Sequence, residues 1–208
     1  MDIRYDWHRR PVVTIFLIGL NAIFFFGPDL FGIPTDLRSI LNGGGITLSG
    51  IEEGEFYRAL TAAFLHFDIH HLMGNLLILA VLGYRLEDIL GHLSYLILYL
   101  ISAVGANVVS VLVYFHTNNY GVISAGASGA IFGVCGGMFA VALLGRTAEG
   151  ISVQQIFLLI ILTLASGYLS MEVNNIAHLS GLIFGIFLGF LFYLIRRHSK
   201  NNSYNSWQ

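Results

Sequence analysis

The chain reads as an all-α membrane protein, a bundle of six transmembrane helices, on three observations. Hydrophobic residues make up 56% of its 208 residues and charged residues only 11%, against about one quarter charged in soluble domains. Mean hydropathy is +0.75. Six apolar stretches of about the 20 residues needed to cross a bilayer fall at roughly 12–31, 59–83, 91–114, 125–145, 152–171 and 176–196. Threaded through a membrane, those six sort the Lys and Arg residues to one side, as the retention of positive charge in cytoplasmic loops requires.

Taken in order, the first span follows the charged flank "MDIRYDWHRRPVV", with Pro11 where a first helical turn accepts proline. The flank does not read as a cleaved signal, because the apolar run is long and no small-x-small site follows it. Gly83, Gly91 and Gly145 with Arg146 punctuate the ends of the later spans, and Glu87 and Asp88 are expected to cap and solvate a turn after the second. Arg4, Arg9, Arg10, Arg85, Arg146, Arg196, Arg197 and Lys200 fall on one face of the membrane. Only Arg38 and Arg58 fall on the other, beside Glu52, Glu53 and Glu55. This predicts cytoplasmic termini in a cell membrane, with 1–11 a short leading segment, 12–197 the helical domain and 198–208 a disordered tail. The connection 32–58 is long for a bundle, and Leu37, Ile40 and Leu41 suit a short interfacial helix. Long ordered loops are more often functional than idle, and this one is placed to cover an outward-facing site.

Several function classes are excluded at this level. A net charge of −2 gives no reason to expect nucleic acid. The single cysteine, Cys135, rules out an internal disulfide framework and is expected to pack in the core. The two halves do not mirror one another, which argues against a transporter. Apolar cytoplasmic halves leave no continuous pore.

Intramembrane polar side chains are costly and face a protein interior or a watery cavity, so their depth is informative. The second span carries "HFDIHHLMGN", with His66, Asp68, His70, His71 and Asn75; the fourth carries "GASGAIFG", with Ser128; the sixth carries "AHLSG", with His178. All three enter from outside, so these groups converge in the outer half of the membrane. His71 and Asn75 are spaced to share one helix face. Gly129, Gly133 and Gly137 form one small-residue stripe and Gly181, Gly185 and Gly189 another, which lets two backbones approach closely. If the stripes meet, Ser128 flanks the contact and can reach His178.

A serine hydroxyl becomes a nucleophile when a base takes its proton, and His178 is that base. Asn75, His71 and the N–H groups opening the fourth helix can then stabilise an oxyanion. No acidic residue in the outer half is placed to orient His178, Glu172 lying only at the exit of the fifth span, so a Ser–His dyad is expected. No cofactor or metal is called for. An H-E-x-x-H zinc protease fails because Phe67 stands where glutamate is needed. An aspartyl protease fails because Asp68 is the lone deep aspartate. Asp68, His66 and His70 read as bracing or solvating residues, although the last two have a zinc-like i, i+4 spacing.

"HHLMGN", "GASGAIFG" and "AHLSGLIFG", in this order, resemble the rhomboid intramembrane serine proteases, as do "YRALTAAFLH" and "GYRLEDILG" around the first motif. The resemblance implies a six-helix rhomboid-like bundle, with Ser128 as nucleophile and His178 as base. It makes His71, Asn75 and the Ser128 N–H the oxyanion stabilisers, with Gly126, Phe132 and Gly181 in support. Phe132 replaces the tyrosine frequent in that family, which keeps ring stacking on His178 and removes a hydroxyl. Tyr57–Arg58 stands where tryptophan–arginine is common, with Arg58 bracing the loop. Further implied are a partly embedded 32–58 loop and a fifth helix that moves to admit transmembrane protein substrates from the lipid bilayer. Those substrates are cut near the outer face, usually after a small residue. The alternative is a non-catalytic rhomboid-like protein that binds membrane clients; such relatives lose the serine or the histidine, and this chain keeps both.

Overall fold

The computed structural model describes residues 10–31, 37–144, 152–168 and 174–205. Arg4, Arg9, Gly145, Arg146 and Glu172 lie outside these. Ten α-helices account for most of the described chain: α1 Val12–Leu30, α2 Leu37–Asn42, α3 Leu48–Glu52, α4 Arg58–Thr61, α5 Ile69–Ile78, α6 Tyr84–Leu90, α7 His92–His116, α8 Ser128–Leu143, α9 Val153–Tyr168 and α10 Asn175–Asn205. The result is an all-α membrane bundle. The stretches Val12–Leu30, Ile69–Leu90, His92–His116 and Asn175–His198 are long and apolar enough to cross a bilayer, and Ser128–Leu143 and Val153–Ala165 are shorter apolar helices. α1 buries Thr14, Leu17 and Asn21 while Ile15, Phe16 and Ile23 stay exposed. A helix apolar on all sides with one buried stripe suits a lipid surround. Pro11 stands just before α1 rather than inside its first turn, and α10 stays helical into the polar tail, as far as Asn205.

The second apolar stretch differs most from expectation. Its first part is not the start of a span: Arg58–Thr61 and a 3₁₀ turn at Ala62–Phe64 stand apart from the long helix. That helix starts at Ile69, where Asp68 is extended and its carboxylate accepts the N–H groups of His70 at 2.7 Å and His71 at 2.9 Å. A satisfied N-cap outweighs the apolar composition before it. The His71 and His70 N–H donors hold the Asp68 carboxyl below the ordinary carboxylate range. The cap therefore stays charged at neutral pH, and its contribution is lost only as pH falls through that lowered value. Nor does Gly83 end the helix. The backbone passes through a π-helical stretch, Leu79–Gly83, and continues to Leu90. A Cβ on Gly83 would lie 2.5 Å from the Tyr95 hydroxyl.

Glu87 and Asp88 are not solvated as expected; they are 1% and 6% exposed. Glu87 crosses to the start of α1, where its oxygens accept Val13 N–H at 2.9 Å, Thr14 N–H at 2.8 Å and the Thr14 hydroxyl at 2.6 Å. His92 Nδ1 lies 2.6 Å from the same carboxylate. One side chain thus fills open donors at the α1 N-terminus and ties α1 to α6 and α7. Glu87→Ala should lower the unfolding free energy by about 3 kcal/mol or more, the usual cost of emptying one half of a buried polar network. Denaturant titration of the purified protein, followed by circular dichroism, measures it.

The described part of the 32–58 connection is ordered. Arg58 braces it, donating to the Leu41 carbonyl at 2.6 Å and the Gly45 carbonyl at 2.8 Å while pairing with Glu55 at 2.5 Å. Ile46 and Leu48 pack with Ala62, Val111 and Tyr114 in a small apolar cluster against α7. The main core lies among α6, α7, α8 and the π-helical stretch, around Tyr95, Tyr99, Leu98, Leu86 and Met138. Cys135 belongs to it, 3% exposed.

α8 and α10 form the most extensive helix contact. Their glycine stripes do meet: a Cβ on Gly181 would overlap the Gly129 carbonyl oxygen, one on Gly185 the Gly133 carbonyl oxygen, and one on Gly189 would lie 2.5 Å from Gly137 Cα.

Candidate active site

Ser128 opens α8, and the segment leading to it is pinned on both sides. Ile46 and Ser124 exchange both backbone hydrogen bonds at 2.9 Å, and Gly126 N–H donates to the Ala62 carbonyl at 2.8 Å. Gly126 has φ +138°, a conformation that L side chains rarely adopt. A Cβ there would also lie 2.6 Å from His71 Cε1 and 2.9 Å from His71 Nε2. The same point is 3.6 Å from Ser128 Oγ, so the imidazole of His71 and the hydroxyl of Ser128 border one small space that only glycine leaves open. No side chain caps α8. Its first N–H groups have no carbonyl partner within the helix, and the positive end of its dipole points toward this space.

His178 lies in the first turn of α10 and is 6% exposed. The Phe132 ring stacks on it, with centroids 4.3 Å apart and planes 20° apart. Phe132 is one turn beyond Ser128 and so shares its face of α8. The neighbouring Gly129 position faces Ala177, the residue before His178, with its virtual Cβ 3.8 Å from the Ala177 carbonyl oxygen. Ser128 and His178 therefore sit level on two touching helices. His178 Nδ1 is buried and has no hydrogen-bond partner among the described residues, so no carboxylate among them orients this ring through that nitrogen.

Asn75 is 7% exposed, and its Nδ2 lies 3.0 Å from His66 Nε2. His66 is 4% exposed. Its ring meets His71 edge to face, with centroids 5.1 Å apart, and Phe67 stacks on His71 at 6.3 Å. His66 thus braces the polar cluster itself, holding the Asn75 carboxamide and walling His71. The sequence signal was the density of "HFDIHH" ahead of Asn75; what it could not show is that the cap at Asp68 folds His66 back over the helix. His70 is exposed, whereas His66 is buried. Among the described residues no group of three or more His, Cys, Asp or Glu is placed to hold a metal ion.

Fold and site together define a helical membrane protein with serine, histidine and carboxamide groups gathered at one end of its bundle. Residues 53–195 match the family model described as "Rhomboid domain". The chain belongs to the rhomboid family. RHOMBOID-like protein 5 of Arabidopsis thaliana is 37% identical over 166 residues, covering 78% of this chain and 51% of that protein. Rhomboid protease GluP of Bacillus subtilis is 34% identical over 179 residues, covering 86% of this chain and 34% of that protein. The chain thus spans about half or less of the length of these two relatives. Putative rhomboid protease YdcA of Bacillus subtilis is 30% identical over 190 residues, covering 87% of this chain and 88% of that protein.

Proposed function

We propose that this chain is an intramembrane serine endopeptidase that cleaves transmembrane segments of membrane proteins near the outer face, through a Ser128–His178 dyad. The observation that carries the reading is the placement of Ser128 and Phe132 on the α8 face that meets His178, with His71 across the space above Gly126. Two relatives bear the name rhomboid protease, which supports it. Ser128 Oγ attacks the scissile carbonyl carbon as His178 takes its proton. The oxyanion is met by the Ser128 N–H, by His71 and by the Asn75 amide. His178 then returns the proton to the leaving amine, and water, activated by the same imidazole, releases the acyl group. Phe132 holds the imidazole plane, and Gly126 and Gly181 keep the space and the helix contact open.

The surplus of Lys and Arg on one face of the six-span arrangement supports cytoplasmic termini in a cell membrane, with the 32–58 connection partly embedded on the outer side. α9 packs chiefly on α8 and α10 and turns Phe157, Leu158 and Leu162 outward. This suits a helix that yields to admit a substrate span from the lipid.

A fluorophosphonate probe should label Ser128, with the adduct located by peptide mass spectrometry. His178→Ala should slow labelling by about 10²-fold or more, the usual contribution of a general base. Labelling elsewhere in the chain, or labelling indifferent to His178, would remove the dyad.

A further inference from the structure

We propose that Asn174 is a positioning residue that keeps the serine-bearing and histidine-bearing segments in register. This rests on the assignment of Ser128 and His178 given above. Asn174 stands immediately before α10 and contacts three parts of the bundle at once. Its Oδ1 accepts the Ala177 N–H at 3.0 Å, and its main-chain oxygen accepts the His178 N–H at 3.2 Å. These two bonds fix the turn on which the imidazole is mounted. Its Nδ2 donates to Ser124 Oγ at 2.9 Å and to Ser110 Oγ on α7 at 3.0 Å.

Ser124 is 7% exposed and is the residue whose backbone pairs with Ile46. It lies one short step before Gly126 and Ser128, so its position sets where the nucleophile enters α8. Ser110 is fully buried and anchors in turn on the Ala106 carbonyl at 2.9 Å. The Asn174 carboxamide therefore joins the approach to Ser128, the mount of His178 and the rigid helix behind both. Each of its two N–H bonds and its carbonyl oxygen has a partner; a carboxylate can only accept, so both links would have to be remade with the serines as donors, and the Ser110 hydroxyl already donates to the Ala106 carbonyl. At an ordinary helix N-cap, aspartate replaces asparagine without loss. Here aspartate keeps the bond to Ala177 and loses both donors. Asn174→Asp thus separates the cap from the cross-link.

The test uses the full chain in proteoliposomes, with a single-span reporter substrate. Values of kcat and KM are read well below the melting temperature, per fluorophosphonate-titrated site for the parent, Asn174→Asp, Ser124→Ala and the Asn174→Asp/Ser124→Ala double variant, and per mole of folded protein for Ser128→Ala, which has no site to titrate. A shift in geometry of the size a lost tether permits costs up to about 10²-fold. Asn174→Asp should lower kcat by about 10- to 100-fold with KM within about twofold, and labelling should slow in step. Ser124→Ala should fall in the same direction, and the double variant should be no worse than Asn174→Asp, since Asn174→Asp already removes the bond that Ser124→Ala cuts. Full kcat in Asn174→Asp overturns the proposal. So does an additive loss in the double variant, or a fall in melting temperature with kcat per titrated site unchanged. If Asn174→Asp yields no folded protein, Ser124→Ala alone decides, an unchanged kcat counting against the link. Ser128→Ala keeps the two readings apart: cleavage by that variant sinks the protease assignment itself, whereas an inactive Ser128→Ala beside a fully active Asn174→Asp sinks only the positioning role.

Discussion

Ser128→Ala will abolish cleavage of a reconstituted single-span substrate while leaving the protein folded and able to bind it. The nucleophile of a serine hydrolase acts as a unit with its base, and removing it costs on the order of 10⁶-fold in kcat, about 8 kcal/mol of barrier. Nothing comparable is lost from the fold. Ser128 is half-buried at the first position of α8, and its side chain does not cap the helix. Stability should therefore change by no more than about 0.5 kcal/mol. Cleavage, substrate capture and thermal melting measured on one preparation separate the two effects. If the alanine variant cleaves as the parent does, the assignment of Ser128 fails, and with it the reading of His178, His71 and Asn75.

Gly185→Leu should prevent the bundle from closing. A Cβ at this position would overlap the Gly133 carbonyl oxygen and stand 2.6 Å from both Gly133 C and Gly133 Cα. Those atoms are backbone and cannot rotate aside, so α8 and α10 must separate. Overpacking of an inflexible contact costs about 3 kcal/mol or more, a large part of a net stability of about 5–15 kcal/mol. Separation would also carry His178 away from Ser128, so activity should vanish with the fold. Gly19→Leu on α1 is the control, because nothing lies within 4 Å of a Cβ built there, and it should stay within about 0.5 kcal/mol of the parent. Denaturant titrations of the two variants side by side give the comparison; equal stabilities would mean that the helices are not in contact through these glycines.

The candidate site was legible in the sequence where chemistry and helical spacing coincide. Ser128 and Phe132 share one face of a helix and flank the glycine stripe beside it, and His178 stands in phase with the opposing stripe. Hydropathy alone misplaced the start of the second span, because Ala59–Leu65 is as apolar as a membrane helix. The cap at Asp68 decided the boundary, and a cap is a hydrogen bond rather than a composition. Glu87 was read as solvated because its partners at Val13 and Thr14 lie more than 70 residues away. Separations of 64 and 50 residues likewise hid Asn174, whose partners Ser110 and Ser124 come from another helix and another loop. Local periodicity carries the helices; polar groups that close a structure across long loops become visible only when the chain has folded.

α8 has 16 residues and rises about 24 Å, whereas a typical hydrocarbon layer is about 30 Å thick. With its far end at one boundary, its first residue stops several ångströms short of the other. The Ser128 hydroxyl then sits beneath the acyl-chain boundary, and hydrophobic mismatch makes bilayer thickness a variable of any reaction proposed for it. A thinner membrane brings bulk water down to the serine; a thicker one leaves the protein to deform its lipid annulus.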